Sequence, residues 1–472
     1  MSKLSCLFEP RSVAVIGASD DRTKYGNRVM QSIIDAGYTG PVYGVNPGVS
    51  TVLGRKAYPT MRELPEPVEL AFIVIPSKAV LESVKDCIAA GAKGIVIITA
   101  GFGEVGAEGL VAEAEIGRLC RQAGIPAVGP NCMGVVCFSS HIIGTMTMDT
   151  LKGEPGDVSF ISQSGTYGIS TLNQGLVAGV GFSKFVSSGN QASIKMSDYL
   201  EYLAQDEDTK AIVLYIEGIE AEEGGRFVEI AREVAKSKPI ITFKGGRTSA
   251  GSRATLSHTA SLAGSDEIFD AACKQAGIIR CYEVIHPFDM AEALSCQPLP
   301  KGKRVAITGS GGQCVTTADA CASLGLEIPE LDQDTKRRLM EILPPWAPVP
   351  TNPVDNAAPR DPMTTPRIAE ILAQLDYIDG IIISSPWSGW DSSPDRIRHP
   401  LAEAEMVTSI PTKYGKPVIS TAIAGRLAAG SDLALNLYRR ERIPLYDTPE
   451  ESARAMYGLM RYAEIRRQLG ES

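Results

Sequence analysis

Residues 12–19 read Ser-Val-Ala-Val-Ile-Gly-Ala-Ser, a β-branched apolar run that stops at Gly17 and leads through a polar loop to Gly26. Strands of a parallel sheet read as continuous apolar runs because helices cover both faces of the sheet. The pattern recurs at Pro41–Val45, Leu70–Ile75, Gly94–Ile98 and Ala127–Val128, with helix-length amphipathic stretches such as Ala79–Ala90 and Gly109–Ala123 between the runs. Strands alternating with helices in this way predict a doubly wound α/β domain.

A second series follows at Asp157–Ile161, Lys210–Glu217 and Pro239–Phe243, with helical patterns at Met196–Gln205 and Glu220–Lys236. The turn formers of Gln297–Lys303 read as a linker. Beyond them Arg304–Thr308, Gly380–Ser384 and Pro417–Ile419 predict the strands of a third α/β domain. Its last helix carries its own start signal, with Thr448 and Glu451 spaced as a capping box and Pro449 at the first helical position. A chain of 472 residues has room for three domains of ~100–200 residues, placed at 1–150, 151–299 and 300–472.

Composition removes several function classes. The net charge is −9 and no long Lys/Arg run is present, which argues against nucleic acid or an anionic membrane as the main partner. The ten cysteines are scattered without a Cys-x-x-Cys pair, so no metal site is predicted and reduced cytoplasmic thiols fit best. Neither a signal peptide nor a membrane span is predicted, because no apolar window is long enough for either.

The chemistry should gather where strands end. Gly17, Ala18, Ser19 and Gly26 form a turn at which backbone can approach a phosphate at a helix N-terminus. The dinucleotide fingerprint Gly-x-Gly-x-x-Gly is absent, and the second strand ends in Asn46-Pro47 where an NAD site needs an acidic residue. Other strand ends, Ile75-Pro76, Thr99-Ala100-Gly101-Phe102-Gly103 and Gly129-Pro130-Asn131-Cys132, bring small or rigid residues to the same edge. In the second series Ser162-Gln163-Ser164-Gly165-Thr166 leaves a strand and opens a helix, which makes an anion cup; plain Ser/Thr capping is the simpler reading. Glu217 ends the neighbouring strand, and His258 lies in the loop beyond the strand that ends at Phe243. A neutral imidazole attacks phosphorus when a carboxylate holds its other nitrogen. On spacing alone, however, a loop histidine is more often solvated than nucleophilic. The tryptophans of Ser384–Asp391 and Trp346 suit an acyl pocket, a core or a subunit contact.

Together Val13-Ala-Val-Ile-Gly-Ala-Ser19, Val45-Asn-Pro47, Ile98-Thr-Ala-Gly-Phe102, Gly129-Pro-Asn-Cys132, Ser162-Gln-Ser-Gly-Thr166 and Ser257-His-Thr-Ala-Ser-Leu-Ala-Gly264 resemble the NDP-forming acyl-CoA synthetases. The match is to α subunits of the ADP-forming acetyl-CoA synthetase type, in the succinyl-CoA synthetase superfamily, and it extends through Asn352-Pro-Val-Asp355. The resemblance implies a Rossmann-like CoA-binding domain followed by two flavodoxin-like CoA-ligase domains. It also implies that His258 is phosphorylated with Glu217 in support, and that Ser162, Ser164, Gly165 and Thr166 bind phosphate. CoA is then expected at Gly17, Ala18, Ser19, Gly26, Pro47, Pro76, Ala100 and Gly101. The implied partner is an ATP-grasp β subunit that holds ADP/ATP or GDP/GTP with Mg, in an α2β2 assembly acting on a small carboxylic acid. One departure stands out: the family's usual glycine is Ala260 here. It favours the alternative of a non-catalytic CoA-binding regulator if that position needs a positive φ.

Overall fold

The computed structural model describes residues 3–147, 151, 153–253, 265–309, 311–359, 361–384, 400–422 and 433–470. The histidine loop, with His258 and Ala260, and residues 385–391 of the tryptophan-bearing stretch lie outside the described residues.

The first sheet contains β1 (Val13–Ile16), β2 (Val42–Val45), β3 (Thr51–Val52), β4 (Arg55–Tyr58), β5 (Leu70–Ile73), β6 (Gly94–Ile97) and β7 (Ala127–Val128). Their order is β3-β4-β2-β1-β5-β6-β7, parallel except for the β3–β4 hairpin. The chain leaves β1 for β2 and returns to β5 on the other side, so the strand order reverses at β1 and opens a crevice outside the carboxyl ends there. Helix Ser77–Ala89 buries Val80, Val84 and Cys87, spaced along one helical face. These pack with Ala71, Ile73, Ile95 and Ile97 in one apolar core.

The second sheet contains β8 (Gly134–Cys137), β9 (Ile142–Thr145), β10 (Pro155–Ser162), β11 (Phe182–Ser187), β12 (Ala211–Ile216), β13 (Ile240–Lys244) and β14 (Ile279–Cys281). The order is β14-β13-β12-β10-β11-β8-β9, and its reversal falls at β10, between β11 and β12. The hairpin β8–β9 precedes residue 150 yet joins this sheet, running antiparallel to β11. The apolar-run reading passes over β11 because Lys184 interrupts it. That lysine is wholly buried, and its ammonium lies 2.8 Å from both carboxylate oxygens of Asp206. A buried ammonium requires such a partner.

The third sheet contains β15 (Val305–Gly309), β16 (Val354–Asp355), β17 (Gly380–Ser384), β18 (Val418–Thr421) and β19 (Leu445–Tyr446), in the order β16-β15-β17-β18-β19. All its pairings are parallel.

The chain divides into two compact units, Met1–Val284 and Ile285–Ser472. The first therefore holds two sheets, and the second begins with helix His286–Cys296 ahead of the expected linker. That helix packs against the closing helix Pro449–Gln468. The Tyr446 hydroxyl donates to the Asp289 carbonyl at 2.5 Å. The Gln297 amide donates to the Arg442 carbonyl at 2.7 Å and accepts from Val418 N–H at 2.9 Å. The Thr448 hydroxyl caps the closing helix by accepting from Glu451 N–H. Glu451 reaches back to Asp447 N–H, one residue earlier than the capping-box pattern implies. Among the described residues no helix is long and apolar enough to cross a membrane.

Candidate functional site

A cleft of about 1450 Å³ runs along the carboxyl ends of the first unit's two sheets. Its floor on the first sheet is set by two glycines. Gly17 has φ +91°, and a Cβ there would sit 2.2 Å from the Val74 carbonyl oxygen. A Cβ on Gly26 would sit 2.0 Å from the Gly17 carbonyl oxygen, so helix Tyr25–Asp35 starts directly against the turn that leaves β1. No side chain caps that helix, and its first residues line the cleft. Its end therefore presents backbone N–H groups and the positive end of the helix dipole. The Asn46 amide donates to the Ala18 carbonyl and the Asn27 amide to the Ser19 carbonyl, each at 2.8 Å, which pins the loop.

Of the eight residues expected at CoA, Gly17, Ser19, Gly26, Pro47, Pro76 and Ala100 line this cleft. Ala18 is fully buried and Gly101 is not part of the lining. The N–H of Gly101 is taken by the Glu104 carboxylate at 2.5 Å.

On the second sheet, helix Gly165–Val177 also starts without a side-chain cap, and Ser164, Gly165 and Thr166 line the same cleft. Ser162 does not. It is buried and its hydroxyl donates to the Ser164 carbonyl at 2.7 Å, so it shapes the turn from behind. Glu217 follows β12, across the strand-order reversal from Ser164, and faces the cleft. The Tyr215 hydroxyl lies 3.4 Å from its carboxylate. Burial pushes the Tyr215 phenol up, and the adjacent Glu217 pushes it further.

Four polar residues outside the expected set organise this edge. The Gln163 side-chain oxygen accepts from Glu217 N–H at 2.5 Å and Gly218 N–H at 3.0 Å, while its amide donates to the Gly218 carbonyl at 2.7 Å. Glu104 accepts from Gly101 and Phe102 N–H, and Glu113 accepts from Gly103 N–H at 3.0 Å. Asn190 donates to both carboxylates at 2.8 Å. Burial raises both carboxyls, but the backbone donors and Asn190 leave Glu104 below the usual range. Burial prevails at Glu113, which stays above it. The sequence marks Gln163 as part of a motif; no local pattern marks the other three, whose partners are brought by the fold.

In the second unit the third sheet repeats the layout. β15 ends at Gly309, with φ +154°, and helix Gly311–Ser323 follows. The buried hydroxyls of Thr308, Ser420 and Thr421 have no hydrogen-bond partner among the described residues. Trp346 is exposed and donates its indole N–H to the Ala357 carbonyl at 3.0 Å.

Residues 11–137 match the CoA binding domain family, and residues 155–294 match the succinyl-CoA ligase like flavodoxin domain. The α subunit of the ADP-forming acetate–CoA ligase II of Pyrococcus furiosus is 40% identical over 465 residues, 98% of each chain. The ADP-forming acetate–CoA ligase I of Archaeoglobus fulgidus is 36% identical, and the match takes in 97% of this chain but 64% of that protein. The acetyl-coenzyme A synthetase 1 of Ca. Korarchaeum cryptofilum, solved with phosphate and ADP, superposes with a TM-score of 0.86 at 33% identity, covering 99% of this chain and 98% of that one. The uncapped helix starts on two doubly wound sheets and the whole-length similarity agree: this chain belongs to the NDP-forming acyl-CoA synthetase family, as an α subunit of the ADP-forming acetate–CoA ligase type.

Proposed function

We propose that the chain interconverts an acyl-CoA, phosphate and ADP or GDP with a small carboxylic acid, CoA and ATP or GTP, passing the phosphoryl group through His258. The observation that carries this reading is the single cleft. It joins the Gly17–Gly26 turn, where the lack of side chains lets the helix start lie directly against the turn that leaves β1, to the open helix start at Gly165 and the carboxylate of Glu217.

Phosphate oxygen attacks the thioester carbonyl carbon, the C–S bond breaks, and CoA leaves as the thiol with the proton that phosphate gives up. The acyl phosphate then loses its phosphoryl group to an imidazole nitrogen of His258, and the carboxylate leaves. The N–H groups of Ser164, Gly165 and Thr166 at the helix start stabilise the anion throughout. Glu217 holds the second imidazole N–H and offsets the charge that develops on the ring. The last transfer, from phosphohistidine to ADP or GDP, returns His258 to its neutral form.

For that transfer we assign the nucleotide and Mg to an ATP-grasp β subunit, in an α2β2 assembly in the cytoplasm. In support, the chain spans nearly all of the Pyrococcus α subunit but 64% of the single-chain Archaeoglobus ligase. In functional terms residues 1–150 take CoA, 151–299 carry the phosphohistidine and 300–472 form the third ligase-type domain.

The test is to incubate the chain, with and without a β subunit, with radiolabelled phosphate and an acyl-CoA. Acid-labile, alkali-stable label on the wild type, absent from His258→Ala, is the expected result. Label that is missing with every acyl-CoA even when β is present, while CoA still binds, would replace the enzyme with a CoA-binding regulator.

A further inference from the structure

The loop after β6 carries Ala100 and Gly103 on the cleft wall, yet its own N–H groups do not face the ligand. Those of Gly101 and Phe102 end on Glu104, and that of Gly103 ends on Glu113. Two carboxylates placed this close repel unless donors lie between them. Asn190 supplies both donors from one amide, to Glu104 at 2.8 Å and to Glu113 at 2.8 Å. Its orientation follows from that count, since a flipped amide would turn its oxygen toward two carboxylates. The remaining oxygen accepts from the Asn131 amide at 3.2 Å, and the Asn190 N–H donates to the Pro130 carbonyl at 2.9 Å.

Asn190 belongs to the loop that leaves β11, and that loop is anchored at the anion cup. Ser188 N–H donates to the Ser162 carbonyl at 2.8 Å, and Ala192 N–H to the Gly129 carbonyl at 3.0 Å. A Cβ on Gly189, at φ +59°, would lie 2.3 Å from the Pro130 carbonyl oxygen, so the two loops meet backbone to backbone. The Ser188–Asn190 backbone, hydrogen-bonded to Ser162 behind the cup at one end and through the Asn190 amide to Glu104 and Glu113 at the other, thus links the cup to Gly101 and Gly103.

We propose that Asn190 is a positioning residue for CoA: it bridges Glu104 and Glu113 with one hydrogen-bond donor to each, and so fixes the Ala100–Gly103 wall relative to the anion cup. The inference rests on the reading that CoA occupies this cleft. The charged groups that face the amide are Glu104 and Glu113, with Lys195 acting on Glu113 at longer range.

The experiment measures CoA affinity of the full chain by calorimetry for the wild type, Asn190→Asp, Asn190→Ala and the double variant Asn190→Asp/Glu113→Gln. Asn190→Asp places a third carboxylate among the first two and removes both donors, so affinity should fall by about ten- to a hundredfold at about pH 8, the loss expected for charge-assisted hydrogen bonds. As pH drops toward about 6 the three carboxyls begin to share a proton, and the deficit should shrink. Asn190→Ala leaves Glu104 and Glu113 without the donor between them but adds no third carboxylate, so its deficit should shrink less on acidification than that of Asn190→Asp. In the double variant the amide oxygen in place of Glu113 Oε2 still accepts from Gly103 N–H and the charge at position 113 is gone, so the new aspartate faces one carboxylate instead of two and affinity should recover part of the loss. A pH-independent deficit in Asn190→Asp without recovery in the double variant would reduce Asn190 to a packing role and overturn the proposal. So would wild-type affinity in Asn190→Asp. If the wild-type chain itself binds no CoA, the cleft assignment fails first and the inference falls with it.

Discussion

Gln163 shows how one side chain decides where the residue bearing the Glu217 carboxylate sits. Its amide oxygen holds the N–H groups of Glu217 and Gly218, and its amide nitrogen holds the Gly218 carbonyl. The residue that leaves β10 therefore fixes the residue that leaves β12. Gln163→Ala removes all three bonds at once while leaving the Gly17–Gly26 turn untouched. Misplacing a reacting group by about 1 Å costs about a hundredfold, and that is the expected fall in the rate of phosphohistidine formation. Rapid quenching of a single turnover with labelled phosphate checks it, and an unchanged rate would remove Gln163 from the site. The glycines and the Ser-Gln-Ser-Gly-Thr run are legible in the sequence because local geometry dictates them: Gly26 admits no side chain 2.0 Å from a carbonyl. Asn190, Glu104 and Glu113 are not, because each is defined by a partner distant in sequence. Motif position marks Ala18, Ser162 and Gly101 as ligand contacts; in the structure Ala18 and Ser162 are buried, and none of the three is part of the cleft lining.

Elements carry the same division between local and distant causes. The runs at β1, β5, β6, β10, β12, β13, β15 and β17 declare themselves because both faces of each strand are covered. Strand β11 hides behind Lys184, and the hairpin β8–β9 hides because its sheet is completed by strands that come later in the chain. At the opposite, amino-terminal edge of the first sheet a single carboxylate ties three elements. Glu69, just ahead of β5, accepts from Arg11 N–H and its guanidinium before β1 and from Lys93 before β6. Burial alone would raise the Glu69 carboxyl, but Lys93 and Arg11 outweigh it and hold it down at about 2. A depressed carboxyl stabilises the fold above its unfolded value, about 4.3, and that contribution is lost as pH falls through about 2. Glu69→Gln should therefore unfold at lower urea than the wild type at neutral pH, with the difference closing as the solution is acidified across that window. Added salt should narrow it too, since Arg11 is largely exposed. A difference that stays constant down to the acid limit would show that the ion pairs contribute nothing.

At the scale of the whole molecule, the boundary that matters for folding differs from the boundary suggested by composition. Turn formers at Gln297–Lys303 mark the start of the third sheet, but helix His286–Cys296 before them belongs to the second unit. Phe288, Ala291 and Ala293 are buried, the helix packs on Pro449–Gln468, and Asp289 pairs with Arg454 at 3.0 Å. Gln297 then stitches the helix end to β18 and to the segment before β19. A piece starting at Ile285 keeps this face covered, whereas a piece starting at residue 300 exposes the apolar side of the closing helix and strips Arg454 of Asp289. Burying one large apolar side chain contributes about 1.5–3 kcal/mol, so loss of the helix should cost the shorter piece several kcal/mol, enough to unfold a marginally stable domain. Expressed separately, residues 285–472 should melt cooperatively and stay monodisperse, while residues 300–472 should aggregate or melt without a transition. Equal thermal transitions in the two pieces would show that the helix is an ornament on the second unit and that its folding boundary lies at the linker after all.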